Sequence, residues 1–189
     1  GPIFDPEDRM DDYWGYTEAF YSVGFRPGDV VQVTFNYHLS PAGLMFEEPL
    51  RNLGCASIPA GPTDPGTQLD IMQKLRVSGY VGTASYLMHL AQKAEEKGIN
   101  LRKDLFQEVA FVTGERLSEK MRNQLEKKFD IILRQGYGTA DVGCIGYECF
   151  HKTGLHISNR CYVEICHPDT GIPLKDGEVG EIVVTSFNK

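Results

Sequence analysis

The chain has 189 residues, a formal net charge of −7 and 41% hydrophobic residues. That length suits one domain, or one domain and part of another, and the composition is that of a globular protein rather than a disordered segment. The acidic balance disfavours a nucleic-acid partner, which requires clustered Lys and Arg side chains. No stretch approaches the ~20 apolar residues that span a bilayer, so no membrane segment is predicted.

The first residues of the chain and its cysteines indicate the cellular compartment of the protein. Residues 1–6 have neither the basic head nor the apolar run of a signal peptide. The start at Gly1, without Met, is typical of a processed or recombinant end, so we expect that the full gene can extend further on both sides. Five cysteines are an odd count, unlike the paired cysteines of a secreted disulfide framework. We therefore predict a reducing, cytoplasmic location.

Helical and strand patterns alternate through the first three quarters of the chain. Apolar residues at helical spacing end at Gly24, and Ser118 is a typical cap for the last helix. The predicted helices cover residues 8–24, 43–53, 68–76, 85–97 and 118–129. The predicted strands cover residues 30–35, 55–59, 79–83, 109–113 and 131–134.

Alternation of helices with nearly all-apolar strands predicts an α/β fold, with a parallel sheet flanked by helices in a flavodoxin-like subdomain. After Asp141 the helical pattern stops. Residues 162–165 and 180–185 have the pattern of antiparallel strands on either side of a turn. We expect an α/β subdomain over residues 5–141 and a partial, barrel-like antiparallel β subdomain over residues 142–189.

Ligands bind beyond the carboxyl ends of the strands in open α/β sheets. Three segments follow such ends: residues 36–43, 113–115 and 135–141. In the third, Gly136 and Gly138 would let the backbone approach a ligand, and Tyr137 offers a flat face to a nucleobase. Thr139 can hydrogen-bond, and Asp141 can hold a divalent cation beside a phosphate. A tight turn around a core tyrosine explains the same residues equally well.

Four motifs occur in a fixed order along the chain. They are YVGTASYL from residue 80, VTGE from residue 112, GYGTAD from residue 136 and GEVGEIVVT from residue 177. The ordered set resembles the adenylate-forming acyl-CoA ligases, or AMP-binding enzymes, and within them the phenylacetate–coenzyme A ligase group. Residues 24–29 and 53–59 extend the resemblance over nearly the whole chain.

The resemblance implies an acid–thiol ligase that activates a small carboxylic acid with ATP and Mg²⁺. An acyl adenylate and pyrophosphate form, and the acyl group then passes to the thiol of coenzyme A. Tyr137 would stack on adenine between Gly136 and Gly138. The segment Gly114-Glu115 would line the same adenine site.

Further roles implied by the resemblance are catalytic. Asp141 stands where the family has a Glu that helps to bind Mg²⁺, and it is one methylene shorter. Ala140 replaces a hydroxyl residue that contacts the α-phosphate, a role that the adjacent Thr139 could take. These two departures favour the alternative of a non-catalytic nucleotide- or acyl-binding protein that retains the fold.

The resemblance also implies an acyl pocket near the first long strand. Tyr37 matches an aromatic residue that borders the aryl group, and Ala42 and Gly43 match small residues beside it. His38 is a further candidate for this pocket, although a hydrogen-bonded structural histidine explains it as well. Ser40 replaces the bulky aromatic residue of phenylacetate-activating members, so the acid is left open between aromatic and other classes.

Several parts of the family's active site are expected outside this sequence. The Ser/Thr/Gly-rich phosphate loop should lie before residue 1, and the ribose-binding segment and the lysine-bearing domain should follow residue 189. Because these parts carry the charge stabilisation of the departing pyrophosphate, we expect the 189-residue chain alone to be inactive in adenylation. A homodimer is kept as a hypothesis for the assembly.

Cysteines and histidines cluster late in the chain. Free thiols that act as small buried hydrophobes explain Cys161 and Cys166, which lie on either side of a strand. Some members of the phenylacetate–coenzyme A ligase group hold a structural metal with a Cys and a His at the positions of Cys149 and His156. These two residues are therefore interpreted as half of a Zn²⁺ site, completed by later cysteines. A dinucleotide-binding enzyme is disfavoured, because no Gly-x-Gly-x-x-Gly follows the first strand.

Overall fold

The computed structural model describes residues 12–187. Residues 5–11, where the predicted subdomain and first helix begin, and residues 188–189 lie outside the described part. The helices are α1 (Thr17–Val23), α2 (Ala42–Asn52), α3 (Pro65–Lys74), α4 (Ala84–Glu96) and α5 (Glu119–Phe129). The strands are β1 (Val30–Val33), β2 (Ala56–Pro59), β3 (Gly79–Gly82), β4 (Val109–Val112), β5 (Ile132–Thr139), β6 (Gly143–Tyr147), β7 (His156–Ile157), β8 (Cys161–Cys166) and β9 (Glu181–Ser186).

The main sheet has the strand order β2-β1-β3-β4-β5-β6-β7. Strands β1 to β5 pair in parallel, and β6 and β7 add to the edge in antiparallel orientation. The order of the five parallel strands, 2-1-3-4-5, is that of flavodoxin-like sheets. Strands β8 and β9 form a separate antiparallel pair. The predicted fold class, a parallel sheet flanked by helices followed by antiparallel strands, is confirmed.

Both faces of the parallel sheet are covered by helices. Successive side chains of a strand point to opposite faces, and the two faces carry different sets of apolar residues. On one face, Tyr80 and Ala110 belong to a core formed with α3, α4 and α5. On the other, Val81 and Phe111 belong to a core formed with α1 and α2. The core therefore lies in two layers, one on each face of the sheet.

Polar side chains set where the helices begin. Ser118 caps α5 as predicted, since its Oγ accepts a hydrogen bond from the backbone N of Met121 at 3.2 Å. The third helix begins at Pro65 rather than at residue 68, because the Asp64 carboxylate caps it and proline suits the first helical position. The first helix begins only at Thr17, because the Asp12 carboxylate accepts hydrogen bonds at its entry.

The largest difference from the predicted elements is the length of β5. The sequence predicted a strand over residues 131–134 and a ligand-binding loop after it. Instead, β5 continues to Thr139 because it pairs with β6, with Tyr137 opposite Gly146. The hydrogen-bonded sheet therefore crosses residue 141, and the predicted subdomain boundary there stays a proposal. None of the helices described between residues 12 and 187 is long and apolar enough to cross a membrane.

Candidate functional site

A cavity of about 540 Å³ lies at the carboxyl ends of β4 and β5. Parallel pairing sets Val112 beside Gln135, so the residues that follow each of them share one edge of the sheet. The lining includes Gly114, Glu115, Gln135, Gly136, Tyr137 and Gly138. All five residues predicted to contact the nucleotide, from two distant segments, therefore border one cavity. That they contact a nucleotide stays a prediction.

Tyr137 is the aromatic residue of the cavity wall. The register of β5 against β6 shifts between Tyr137 and Gly138, which is a β-bulge of the kind that re-aims side chains. The Tyr137 side chain is 43% exposed, although its backbone lies in the sheet opposite Gly146 of β6. An exposed ring at the cavity can stack against a flat ligand.

The two glycines beside Tyr137 are closely packed against the core. A Cβ atom on Gly136 would lie 2.2 Å from Cζ of Phe111, and one on Gly138 would lie 2.2 Å from the hydroxyl oxygen of Tyr16. The space that the missing side chains leave is thus filled by buried rings. Close packing beneath the strand is therefore a further reason for glycine at both positions, and close approach of a ligand to the backbone stays a prediction.

Glu115 connects the loop after β4 to the start of α4. Its carboxylate accepts hydrogen bonds from the backbone N of Ser85 at 2.5 Å and from Ser85 Oγ at 2.9 Å. The positive end of the helix dipole stabilises a carboxylate at this position. Gly114, at φ +83°, gives the loop a turn that other residues adopt with strain. The side chain of Glu115 therefore holds the loop, and the backbone at Gly114 lines the cavity.

A buried ion pair lies beneath the same wall. Arg122 on α5 donates two hydrogen bonds to Glu148, at 2.9 Å from Nη1 and 2.6 Å from Nη2. Glu148 also accepts from the backbone N and from Nε2 of Gln135, both at 2.9 Å. The side chains of Arg122 and Glu148 are 1% and 3% exposed. The pair therefore ties α5, the end of β6 and the cavity wall together.

The charges of this pair are matched. Burial by itself would raise the pKa of Glu148, but hydrogen bonds from Arg122 and Gln135 outweigh it and hold the pKa of this carboxyl below its usual value. Gln135 falls within the predicted segment 135–141 but was given no role, and Arg122 and Glu148 were not predicted to belong to the site. The sequence does carry one signal for Glu148: it is a single carboxylate directly after the apolar stretch of β6. A charge at the end of a buried strand requires a partner.

The predicted catalytic residues lie at the turn between β5 and β6. Thr139 Oγ1 accepts a hydrogen bond from the backbone N of Val142 at 3.2 Å. Asp141 is exposed in the same turn. Neither residue lines the cavity at β4 and β5. Their roles in phosphate and Mg²⁺ binding stay predictions.

The predicted acyl-pocket residues lie together where the chain leaves β1 and enters α2. The backbone N of Gly43 donates to the carbonyl of Asn36 at 3.0 Å, and a Cβ on Gly43 would lie 2.5 Å from the Tyr37 ring. Burial, and then a nearby carboxylate on α2, raises the pKa of Tyr37. His38 is exposed, and Ala42 is the first residue of α2. Because the Tyr37 ring packs on α2, an acyl-binding role for these residues stays a prediction.

The cysteines are free thiols throughout. Cys161 and Cys166 are buried, as the small-hydrophobe interpretation predicted. Cys149 is half-buried, and its Sγ accepts a weak hydrogen bond from the backbone N of His151 at 3.4 Å. His156 is exposed on β7. No group of three or more metal-binding side chains occurs between residues 12 and 187, so the zinc half-site stays a prediction.

Comparison with known proteins identifies relatives of this chain. The model of the family described as AMP-binding enzyme matches residues 13–188. The chain is 30% identical over 172 residues to phenylacetate-coenzyme A ligase of Pseudomonas putida, which covers 89% of the chain and 39% of that protein. It is 28% identical over 178 residues to the ligase of the same name from Escherichia coli K12, with 89% and 39% coverage. The chain thus spans about two fifths of the length of these relatives.

Solved structures share the fold. A 2-hydroxyisobutyryl-CoA ligase in complex with 2-HIB-AMP and CoA matches with a TM-score of 0.84 at 21% identity, over 92% of this chain and 38% of that one. A benzoate CoA ligase from Burkholderia xenovorans LB400 matches with a TM-score of 0.72 at 17% identity, over 94% and 37%. These identities show the fold alone, whereas the family match covers nearly the whole sequence. The resemblance seen in the ordered motifs is confirmed, and the chain belongs to the AMP-binding enzyme family.

Proposed function

We propose that this chain forms the nucleotide-facing wall of an ATP-dependent ligase that joins a small carboxylic acid to coenzyme A. A carboxylate oxygen of the acid attacks the α-phosphorus of ATP and releases pyrophosphate. The thiol of coenzyme A then attacks the acyl carbon and releases AMP. Because the chain spans about two fifths of its relatives, the reaction is proposed for the longer protein.

The observation that carries this proposal is the convergence of the predicted nucleotide residues on one cavity. Tyr137 offers an exposed ring on which adenine can stack. Gln135 uses its Nε2 on Glu148, and its Oε1 is left as an acceptor for the amino group of adenine. The backbone at Gly114 borders the same cavity. A flat base with an exocyclic amine therefore suits this wall.

The proposed cation site lies at the turn between β5 and β6. Asp141 and Thr139 supply oxygen atoms, the donors that Mg²⁺ prefers, and Asp141 would hold the ion beside the triphosphate. An ion held there would neutralise phosphate charge. The relatives named phenylacetate-coenzyme A ligase favour an aromatic acid, whereas Ser40 favours a different one. The cytoplasmic location, the homodimer and the Zn²⁺ half-site stay predictions.

Pyrophosphate exchange tests the proposal. In the full-length protein, acid-dependent exchange of labelled pyrophosphate into ATP is measured with a panel of aliphatic and aromatic acids. ATP affinity is measured by calorimetry in wild type and in Tyr137→Ala. Loss of base stacking, worth ~1–3 kcal/mol, should weaken ATP binding by about 5- to 150-fold. The matched control is Tyr162→Ala, since Tyr162 is 56% exposed on β8 and does not line the cavity.

The outcomes separate the alternatives. Exchange with at least one acid supports the ligase, and ATP binding without exchange for any acid supports the non-catalytic nucleotide-binding protein. Absence of ATP binding would refute both. If Tyr137→Ala binds ATP as tightly as Tyr162→Ala does, the nucleotide does not lie on this wall.

A further inference from the structure

The buried residues beneath the cavity form a directional chain of hydrogen bonds. Arg122 has only donors, and ionised Glu148 has only acceptors. Gln135 has an acceptor oxygen, Oε1, and an amide nitrogen, Nε2, with two N–H donors; Nε2 donates one of them to Glu148, at 2.9 Å from Oε1 of that carboxylate. We call these three residues the relay. Its charged members are almost entirely buried, so water does not compete for their hydrogen bonds.

The direction of the relay fixes what Gln135 presents to the cavity. A glutamine amide can turn over and exchange its O and N positions at almost no cost when its partner is water or a hydroxyl. Glu148 removes that freedom, because turning the amide would bring Oε1 against a carboxylate oxygen. Glu148 is itself held by two bonds from Arg122 and by one from the backbone N of Gln135. Gln135 therefore has a single orientation.

We propose that Glu148 is a positioning residue that sets base selectivity: by holding the amide nitrogen of Gln135, it leaves the Oε1 acceptor of Gln135 for the base in the cavity. A 6-amino purine satisfies that acceptor, whereas a 6-oxo purine opposes it with a second acceptor. The inference rests on the proposed function, because it requires a purine nucleotide on this wall. It goes beyond that function by assigning the choice of base to a buried ion pair.

Replacing Glu148 with Gln should invert the relay. The new amide oxygen is best placed where it keeps the bonds from Arg122 Nη1 and from the backbone N of Gln135, since the backbone cannot turn over. The new amide nitrogen then faces the side chain of Gln135. Gln135 can satisfy it only by turning its Oε1 inward, which brings its Nε2 to the cavity. The acceptor becomes a donor.

The experiment compares the affinity of the full-length protein for ATP and for inosine triphosphate, which differs by a 6-oxo group. Wild type should bind ATP about tenfold or more tightly than inosine triphosphate, since a mismatched buried polar pair costs at least that factor. Glu148→Gln should lose this preference or reverse it. Arg122→Lys is the control, because it weakens the ion pair and the fold but leaves an acceptor-only carboxylate facing Gln135. It should keep the wild-type ratio.

Folding is checked by circular dichroism. If the single substitution does not fold, the double variant Arg122→Met with Glu148→Gln takes its place, because it leaves no unpaired buried charge. Equal affinity of wild type for the two nucleotides, or an unchanged ratio in the folded variant, would overturn the inference and leave the ligase proposal standing. If wild type binds neither nucleotide, the proposed function itself fails.

Discussion

A methyl group added at Gly138 tests whether the cavity wall is packed as tightly as its contacts indicate. The Cβ of Gly138→Ala would lie 2.2 Å from the hydroxyl oxygen of Tyr16 and 2.3 Å from the carbonyl oxygen of Gly143. Real Cβ contacts essentially never fall below 3.0 Å. Relieving the second contact therefore requires 3.0 − 2.3 = 0.7 Å of separation between β5 and β6.

The cost should fall near the upper end of the ~1–3 kcal/mol that overpacking a core usually costs. Neither neighbour can move away freely, because one is a backbone carbonyl and the other belongs to a fully buried ring. Urea denaturation followed by the fluorescence of Trp14 measures the loss. Trp14 is the single tryptophan of the chain, is buried, and its carbonyl accepts a hydrogen bond from Cys144 on β6.

Two further variants make this measurement decisive. Gly146→Ala, on the facing strand, brings its Cβ no closer than 3.1 Å to another atom, so it should cost less than half as much. Tyr16→Phe should restore part of the loss in Gly138→Ala, because it removes the closest contact. The Tyr16 hydroxyl has no hydrogen-bond partner among the described residues, so Tyr16→Phe alone should not destabilise. If Gly138→Ala is no less stable than Gly146→Ala, the reasoning about the wall is wrong.

Two other predictions concern carboxylates near the cavity. Since the folded-state pKa of Glu148 is lowered, its stabilisation should be complete above its unfolded pKa of about 4.3 and lost as pH falls through the lower folded value. The free energy of unfolding is measured by urea denaturation from pH 7 to 3 in wild type and in Arg122→Met/Glu148→Gln. Wild type should lose stability relative to the variant as the pH falls. A stability difference that does not depend on pH contradicts this. Glu115→Ala removes the acceptor for Ser85 and the anion at the start of α4, so it should cost about 1 kcal/mol and weaken ATP binding. Glu115→Gln keeps an acceptor and should lose less stability than Glu115→Ala. Equal losses of stability in thermal denaturation would rule out a role for the charge.

The elements governed by local chemistry were predictable from the sequence. The cap at Ser118 and the all-apolar strands depend on neighbouring residues and on simple periodicity, and they were predicted correctly. The start of α3 was not, because the sequence Asp64-Pro65 suits a turn as well as a helix cap. The choice between these depends on whether the following residues bury an apolar face.

Features that depend on distant pairing were not predictable. The glycines of β5 are typical of a loop, and they lie in a strand only because β6 pairs with them. Arg122 and Glu148 are 26 positions apart, and nothing in their spacing links a helix residue to the end of a later strand. The candidate nucleotide residues were found by motif order, whereas the contacts that hold them became visible only with the fold.

Strand β5 pairs in parallel with β4 through residues 132–135 and in antiparallel orientation with β6 through residues 136–139. A ligand wall on a surface loop is ordered partly by the ligand, and that ordering subtracts from affinity. Here the side of the cavity that carries Tyr137 is already ordered by the sheet. Binding should therefore cost little conformational entropy on this side, and the shape that the wall offers to a base is set at folding rather than at binding.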